Sequence, residues 1–183
     1  LARGSLSLGA SAARRYGVER VSFVECDIAR LPLKDGAFDV IYSSGVLHHT
    51  PDPAASFGRI VKAVKPGGHV IVGLSNLYAR FPLRMRRVVA RLTGYRWIPF
   101  DPVLRDRKAQ LARREAWLRD QYRHPEEHSH SVAEVRRWFR ANDIEYVSTY
   151  PSTLIGDDPD NLLTPAEDEW PLESVLAQIG WMK

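Results

Sequence analysis

Cysteine is almost missing from this sequence. Cys26 stands alone, so no disulfide can close within the chain, and a reducing, cytoplasmic compartment is the expectation. Long apolar runs are missing as well: nothing approaches the roughly 20 consecutive residues of a membrane span, and the opening residues carry no signal-peptide pattern. Acids are scarce in the middle, where 13 Lys and Arg between Arg80 and Arg123 face only Asp101, Asp106, Glu115 and Asp120. Bases are scarce at the end, where seven acids from Asp157 to Glu173 face Lys183. The two regions can neutralise each other, and a formal net charge of +4 is too small by itself to imply a nucleic-acid partner. No repeat or low-complexity segment is visible. What remains, 44% apolar residues over 183 positions, suffices for one domain with a core.

The first part of the chain alternates between two periodicities. Ser5 to Tyr16 reads as a helix stopped by Gly17. Val21-Ser22-Phe23-Val24 is β-branched and aromatic, a short strand. Lys34-Asp35-Gly36 is turn chemistry, and Phe38 to Tyr42 is a buried strand, with Asp39 at its opening end read as structural. A helix from Pro53 to Val64 carries Phe57, Ile60, Val61 and Val64 on one face, and Pro66-Gly67-Gly68 stops it before a strand from His69 to Leu74. Strand and helix in turn specify an α/β fold with a parallel, doubly wound sheet.

After Ser75 the alternation ends. From Asn76 to His130 no strand signal occurs. The spacing predicts a helix over 78–92, with Phe81, Met85, Val88, Val89 and Leu92 on an apolar face and Arg80, Arg84, Arg87 and Arg91 opposite. A second helix is expected over 104–120. Ser131 and Glu134 form a capping box that opens a helix to Ala141. Ile144 to Tyr150 alternates as a strand, and Leu172, Val175, Leu176 and Ile179 are spaced as the core stripe of a last helix.

One stretch says more than the rest. An acidic residue, Asp27, closes the apolar run at Val24. Phe38-Asp39-Val40-Ile41-Tyr42 then runs into Ser43-Ser44-Gly45-Val46-Leu47-His48-His49, and Lys65-Pro66-Gly67-Gly68 follows. These residues resemble the class I S-adenosylmethionine-dependent methyltransferases, in particular the small-molecule type. The resemblance is tight from Val21 to Gly68 and loose beyond Asn76. It implies a Rossmann-like sheet with helices on both faces and the strand order 3-2-1-4-5-7-6. The four strands read above would be strands 3, 4, 5 and 6, with a helical insertion after strand 5. Strands 1, 2 and 7, and the Gly-rich turn after strand 1, have no counterpart here. Unpaired buried backbone groups cost about 1–3 kcal/mol each, so the expectation is a domain truncated at both ends that folds poorly and is inactive alone.

The resemblance also implies roles. Asp27 would accept a hydrogen bond from the adenine amine of S-adenosylmethionine, with the Ile28 backbone N–H serving a ring nitrogen. That is the strand-end placement of ligand sites in open parallel sheets. The alternative reading of Asp27 is a cap on the next turn. Ser44, Gly45, Leu47 and His49 would sit beside the cofactor's sulfur, where small residues permit close backbone approach, although a His pair also serves as a hydrogen-bonded structural element.

The polar segment 120–130 supplies Tyr122, His124, Glu127 and His130, which could orient or deprotonate an acceptor. It reads equally as a surface loop. A metal site is disfavoured because the spacings match no standard zinc pattern and Cys26 is distant in sequence. The catalytic candidates are therefore His124, Glu127 and Tyr122, with no metal.

These readings divide the chain into a partial cofactor core over 1–75, a basic helical insertion or substrate lid over 76–130, a final helix and strand over 131–155, and an acidic tail over 156–183. The function they imply is methyl transfer to a small-molecule acceptor. Two alternatives use the same residues: a non-catalytic interaction module of methyltransferase fold, or an enzyme whose Arg face docks on a nucleic acid or membrane surface. Tyr95, Trp97 and Phe100, beside that face, form no recognisable RNA platform.

Overall fold

A computed structural model describes residues 3–106, 110–122, 127–153 and 171–181. They divide into two units: 1–42 with 54–71, and 43–53 with 72–183.

In the first unit, helix α1 (Arg3–Arg15) is followed by a segment without regular secondary structure and a single 3-10 turn, Ile28–Arg30. Strand β1 (Phe38–Ser44), helix α2 (Pro53–Val61) and strand β2 (Val64–Gly73) then form a βαβ element, and both strands run on into the second unit. The register shows that they run parallel: Gly36 N–H donates to the Lys62 carbonyl, Phe38 to Ala63 and, further along, Gly45 to Gly73. Parallel neighbours need a crossover, and α2 supplies it. Phe57, Ile60 and Val61 are buried, as the apolar spacing predicts, but the helix stops at Val61 and Val64, the fourth residue of the expected face, opens β2 half-buried. The architecture is that of a Rossmann-like α/β fold.

Two expected strands do not form. Val21–Val24 and Ile144–Tyr150 have no regular secondary structure, so among the described residues the sheet has two strands, β1 and β2. β-propensity describes a side chain's fit to a half-buried pleated surface, and it cannot supply the neighbouring backbone. Val21, Phe23 and Val24 stay 42%, 42% and 56% exposed. Segment 144–150 packs through side chains instead: the Tyr146 ring lies 6.3 Å from Phe139 and 4.6 Å beneath the Arg136 guanidinium.

β2 begins five residues earlier than the sequence predicts, because Lys65-Pro66-Gly67-Gly68 lies inside it. Gly68 explains how. A Cβ there would stand 2.7 Å from the Asp39 carbonyl oxygen and 3.0 Å from that of Lys65, both backbone atoms. Gly68→Ala should therefore part the strands locally and cost about 1–3 kcal/mol, read as a lower urea midpoint. An unchanged midpoint would show that the backbone yields there. Alongside, Lys65 Nζ donates to Asp39 at 2.7 Å on the surface, and that hydrogen bond and charge hold the Asp39 carboxyl below its ordinary value.

The second unit is helical. α3 (Phe81–Leu92), α4 (Pro102–Arg105), α5 (Leu111–Tyr122), α6 (Val132–Arg140) and α7 (Pro171–Gly180) follow one another. Asn76 Oδ1 accepts from Tyr78 and Ala79 N–H at 2.9 and 3.0 Å, so the chain turns before α3 begins, three residues later than expected. The helix expected over 104–120 is two helices instead, because Asp106 is extended and ends the first. Leu83 and Ala90 of α3 and Tyr122 of α5 form a core that Tyr95, Ile98, Trp117 and Leu118 surround.

Asp101 is the polar centre of this unit and is fully buried. Its Oδ1 accepts from Val103 and Leu104 N–H at 3.0 and 2.8 Å, capping α4. Its Oδ2 accepts from Trp117 Nε1 at 3.1 Å and from the Tyr122 hydroxyl at 2.5 Å. Gln178 of α7 plays a similar part, since its Oε1 accepts from Asn76 Nδ2 and Val132 N–H while its Nε2 donates to Ser174. α3 and α7 thus turn partly polar faces inward. Phe81, Met85, Val88 and Leu92 remain 49–82% exposed, the reverse of the amphipathic expectation.

Candidate functional site

Asp27 ends the irregular segment after α1 and caps the following 3-10 turn, its Oδ1 accepting from Ala29 N–H at 2.9 Å. That is the capping alternative in the flesh. It occupies one oxygen of an exposed carboxylate, leaving the other face of the group toward solvent, and Ile28 opens the turn beside it.

In the second unit, β1 ends at Ser44 and the chain reverses through Gly45 into a 3-10 turn, Leu47–His49. Gly45 has φ +73°, and a Cβ there would meet nothing within 4 Å, so the backbone at the strand's end is open to a ligand. Leu47 is fully buried and underpins the turn, whose last carbonyls are closed by Thr50: its Oγ1 donates to the Leu47 carbonyl at 2.7 Å. His48 is buried against His49, ring centroids 4.2 Å apart. Burial, then the neighbouring His49, lowers its pKa to about 4, so it is neutral near pH 7.

The segment 127–130 lies against this turn and against the end of β2. His128 N–H donates to the His48 carbonyl at 2.8 Å, His130 N–H to Ser75 at 2.9 Å, and Leu77 N–H to His130 at 2.9 Å. The sequence-predicted residue Glu127 is therefore held at the carboxyl ends of both strands, where ligands of open parallel sheets bind. Its side chain is only 6% exposed; it accepts from Ser75 Oγ at 3.0 Å and from Arg87, with Arg80 at 3.4 Å. Burial raises its pKa, but the hydrogen bond and charge of Arg87, the charge of Arg80 and the Ser75 hydroxyl outweigh it, and the net shift is downward. Glu127 is a carboxylate locked in an ion pair.

Tyr122 stands apart from this group. Its hydroxyl is committed to Asp101, and burial together with that hydrogen bond pushes its pKa far upward. His124 lies outside the described residues. The structure thus brings Glu127 together with the turn after β1, and places Tyr122 in the helical core.

Beside Glu127 a cavity of about 330 Å³ opens, lined among others by Arg84, Arg87, His128, His130 and Glu134. Sequence reasoning named His130 but missed its partner Glu134, whose i, i+4 spacing was the available signal. In the sequence Glu134 stands out only as half of a capping box. Ser131 Oγ does accept from Glu134 N–H at 3.2 Å, but the Glu134 carboxylate pairs with His130 Nδ1 at 2.9 Å. Among the described residues, no cluster of His, Cys, Asp and Glu could hold a metal, and no helix is long and apolar enough to cross a membrane.

Part of the chain is similar to known proteins. Residues 3–72 match a methyltransferase-domain family. An uncharacterised protein of Synechococcus is 26% identical over 80% of this chain and 40% of its own length. An uncharacterised chloroplastic methyltransferase of Arabidopsis thaliana is 35% identical over 42% of this chain and 23% of its own. The crystal structure of the YcgJ protein of Bacillus is 22% identical, with a TM-score of 0.49 over 76% of this chain and 48% of that one. The chain therefore spans well under half the length of these two sequence relatives. The family match lies over residues 3–72, which contain α1, β1, the turn after it, α2 and most of β2, and over that part the chain is similar to methyltransferase domains.

Proposed function

We propose that the protein containing this chain transfers the methyl group of S-adenosylmethionine to a small-molecule acceptor. The family match over the β1–α2–β2 element is the observation that carries this reading. A sulfonium methyl is already activated, so the protein's work is in-line positioning and exclusion of water. Asp27 and Ile28 are assigned to the adenine, and Ser44, Gly45 and His49 to the methionyl side, with Leu47 buried beneath the turn as its support rather than as a contact. Each assignment has its own support: Asp27 carries an exposed carboxylate, and an open glycine backbone follows β1.

The test separates the two roles of Asp27. Asp27→Ser retains a cap on the 3-10 turn but removes the carboxylate that adenine would meet. Binding of S-adenosylhomocysteine, followed by calorimetry, should weaken about ten- to a hundred-fold, the worth of one hydrogen bond to a charged group. Thermal stability should hardly change. Equal affinity in both proteins would reduce Asp27 to a cap.

A further inference from the structure

We propose that the cavity beside Glu127 is the acceptor site, that it takes a small protic molecule bearing an oxyanion (carboxylate or phosphate), and that His130 removes the acceptor's proton. This deepens the methyl-transfer reading and rests on it.

The argument begins with His130. Its side chain is 7% exposed and lines the cavity. The Trp138 ring packs edge-on against the imidazole at 4.7 Å, fixing its plane. A carboxylate only accepts, so the Glu134 oxygen 2.9 Å from Nδ1 places a proton on Nδ1, and in the neutral ring the lone pair is then on Nε2. Nε2 is buried, and among the described residues nothing hydrogen-bonds to it. A buried polar atom without a partner costs stability, and here it belongs to a group backed by a carboxylate, the arrangement that makes imidazole a general base.

The other walls define what could approach. Glu127 cannot serve as the base, because Arg87, Arg80 and Ser75 already take its oxygens. Arg80 and Arg87 exceed Glu127 by one charge and the Glu134 carboxylate offsets it, so Arg84, whose side chain has no partner among the described residues, leaves the cavity one net positive charge. A guanidinium presents paired N–H donors that match a carboxylate or phosphate. An acceptor held by Arg84 through its oxyanion would turn a hydroxyl or amine toward Nε2. In the transfer step, the acceptor's O or N lone pair bonds to the methyl carbon and the carbon–sulfur bond breaks, its electrons passing to sulfur. The acceptor's proton goes to Nε2, and Glu134 stabilises the imidazolium that results.

Histidine-labelled full chain, titrated with inorganic phosphate and separately with acetate, tests the site without knowing the acceptor. The His130 ring signals are identified by their loss in His130→Gln. They should move saturably with at least one anion, and the preferred anion identifies the oxyanion. Arg84→Gln, on an exposed helix position, should weaken that binding about ten-fold. Ring nitrogen shifts should report the Nδ1-protonated tautomer, lost in Glu134→Ala and retained in Glu134→Gln, whose amide oxygen still accepts. Static His130 signals, or equal binding by Arg84→Gln, would overturn the proposal. S-adenosylhomocysteine binding is measured beside it. Anion binding without cofactor binding would sink the proton-transfer role together with the methyl-transfer reading, whereas cofactor binding without anion binding would sink only this site.

Discussion

Asp101→Ala should remove about 3–5 kcal/mol from the second unit, a large share of the roughly 5–15 kcal/mol that holds a domain together. The loss comes from several places at once. Tyr122, 2% exposed, and Trp117 would each keep a donor with no acceptor, at about 1–3 kcal/mol apiece. α4 would lose the side chain that takes two of its first N–H groups, about 1 kcal/mol. Asp101→Asn is the finer probe. Its one carbonyl oxygen can keep the cap, but its amide then points donors at the Trp117 N–H, so it should fall between wild type and alanine. Tyr122→Phe leaves Asp101 three of its four donors and should cost only about 1–2 kcal/mol. Urea unfolding with unchanged slopes gives all three values. An Asp101→Ala protein within about 0.5 kcal/mol of wild type, the usual spread of surface substitutions, would mean that water reaches these donors.

The same residues show what the sequence could reveal. α1, β1, α2 and the cap of α6 were legible because each depends on local chemistry: an apolar stripe, a turn, a Ser three residues before a backbone donor. Asp101-Pro102 is likewise a helix-start signal, an N-cap before a first-turn proline, and it marks α4. Its partners Trp117 and Tyr122 are 16 and 21 residues away, and spacing carries no sign of them. The faces of α3 and α7 failed for a related reason. Amphipathic reading assumes that the apolar side is buried. Here specific pairs turn the other side in: Arg87 and Arg80 reach Glu127, and Gln178 reaches Asn76 and the Val132 N–H. The strands at 21–24 and 144–150 were legible as propensity alone, since a ladder is a property of two segments. The cap at Asp27 and the turn after β1 are likewise local, formed by neighbours in sequence. The Glu127 ion pair and the Glu134–His130 pair needed the fold.

Glu127→Ala should destabilise the second unit by about 2–4 kcal/mol, somewhat below the cost of breaking a fully buried pair because Arg80 and Arg87 keep 33% and 19% of their side-chain surface. Both guanidiniums retain Gln121, through its side-chain and backbone oxygens, but no countercharge. The pH profile identifies the cause. In the wild type, His48 stays neutral in the fold down to about pH 4, while the unfolded chain takes up that proton near 6.5. The folded value is the lower one, so stability is whole above 6.5 and drains away as pH falls from there toward 4, by an amount on the order of 1–3 kcal/mol. Glu127 is also depressed, so its own contribution is present above the unfolded carboxyl value near 4.5 and lost below it. The variant should lose the second limb and keep the first. Because the Glu127 charge raises His48, removing it lowers His48 further and extends the first limb to more acid pH. Melting temperature against pH, taken from 7 down to the acid unfolding limit, resolves both. If Glu127 acts only by holding Arg80 and Arg87, total turnover in Glu127→Ala should follow the folded fraction, and turnover per folded molecule should not change. A loss of turnover at full folding, with the acid limb intact, would instead return Glu127 to the acceptor chemistry.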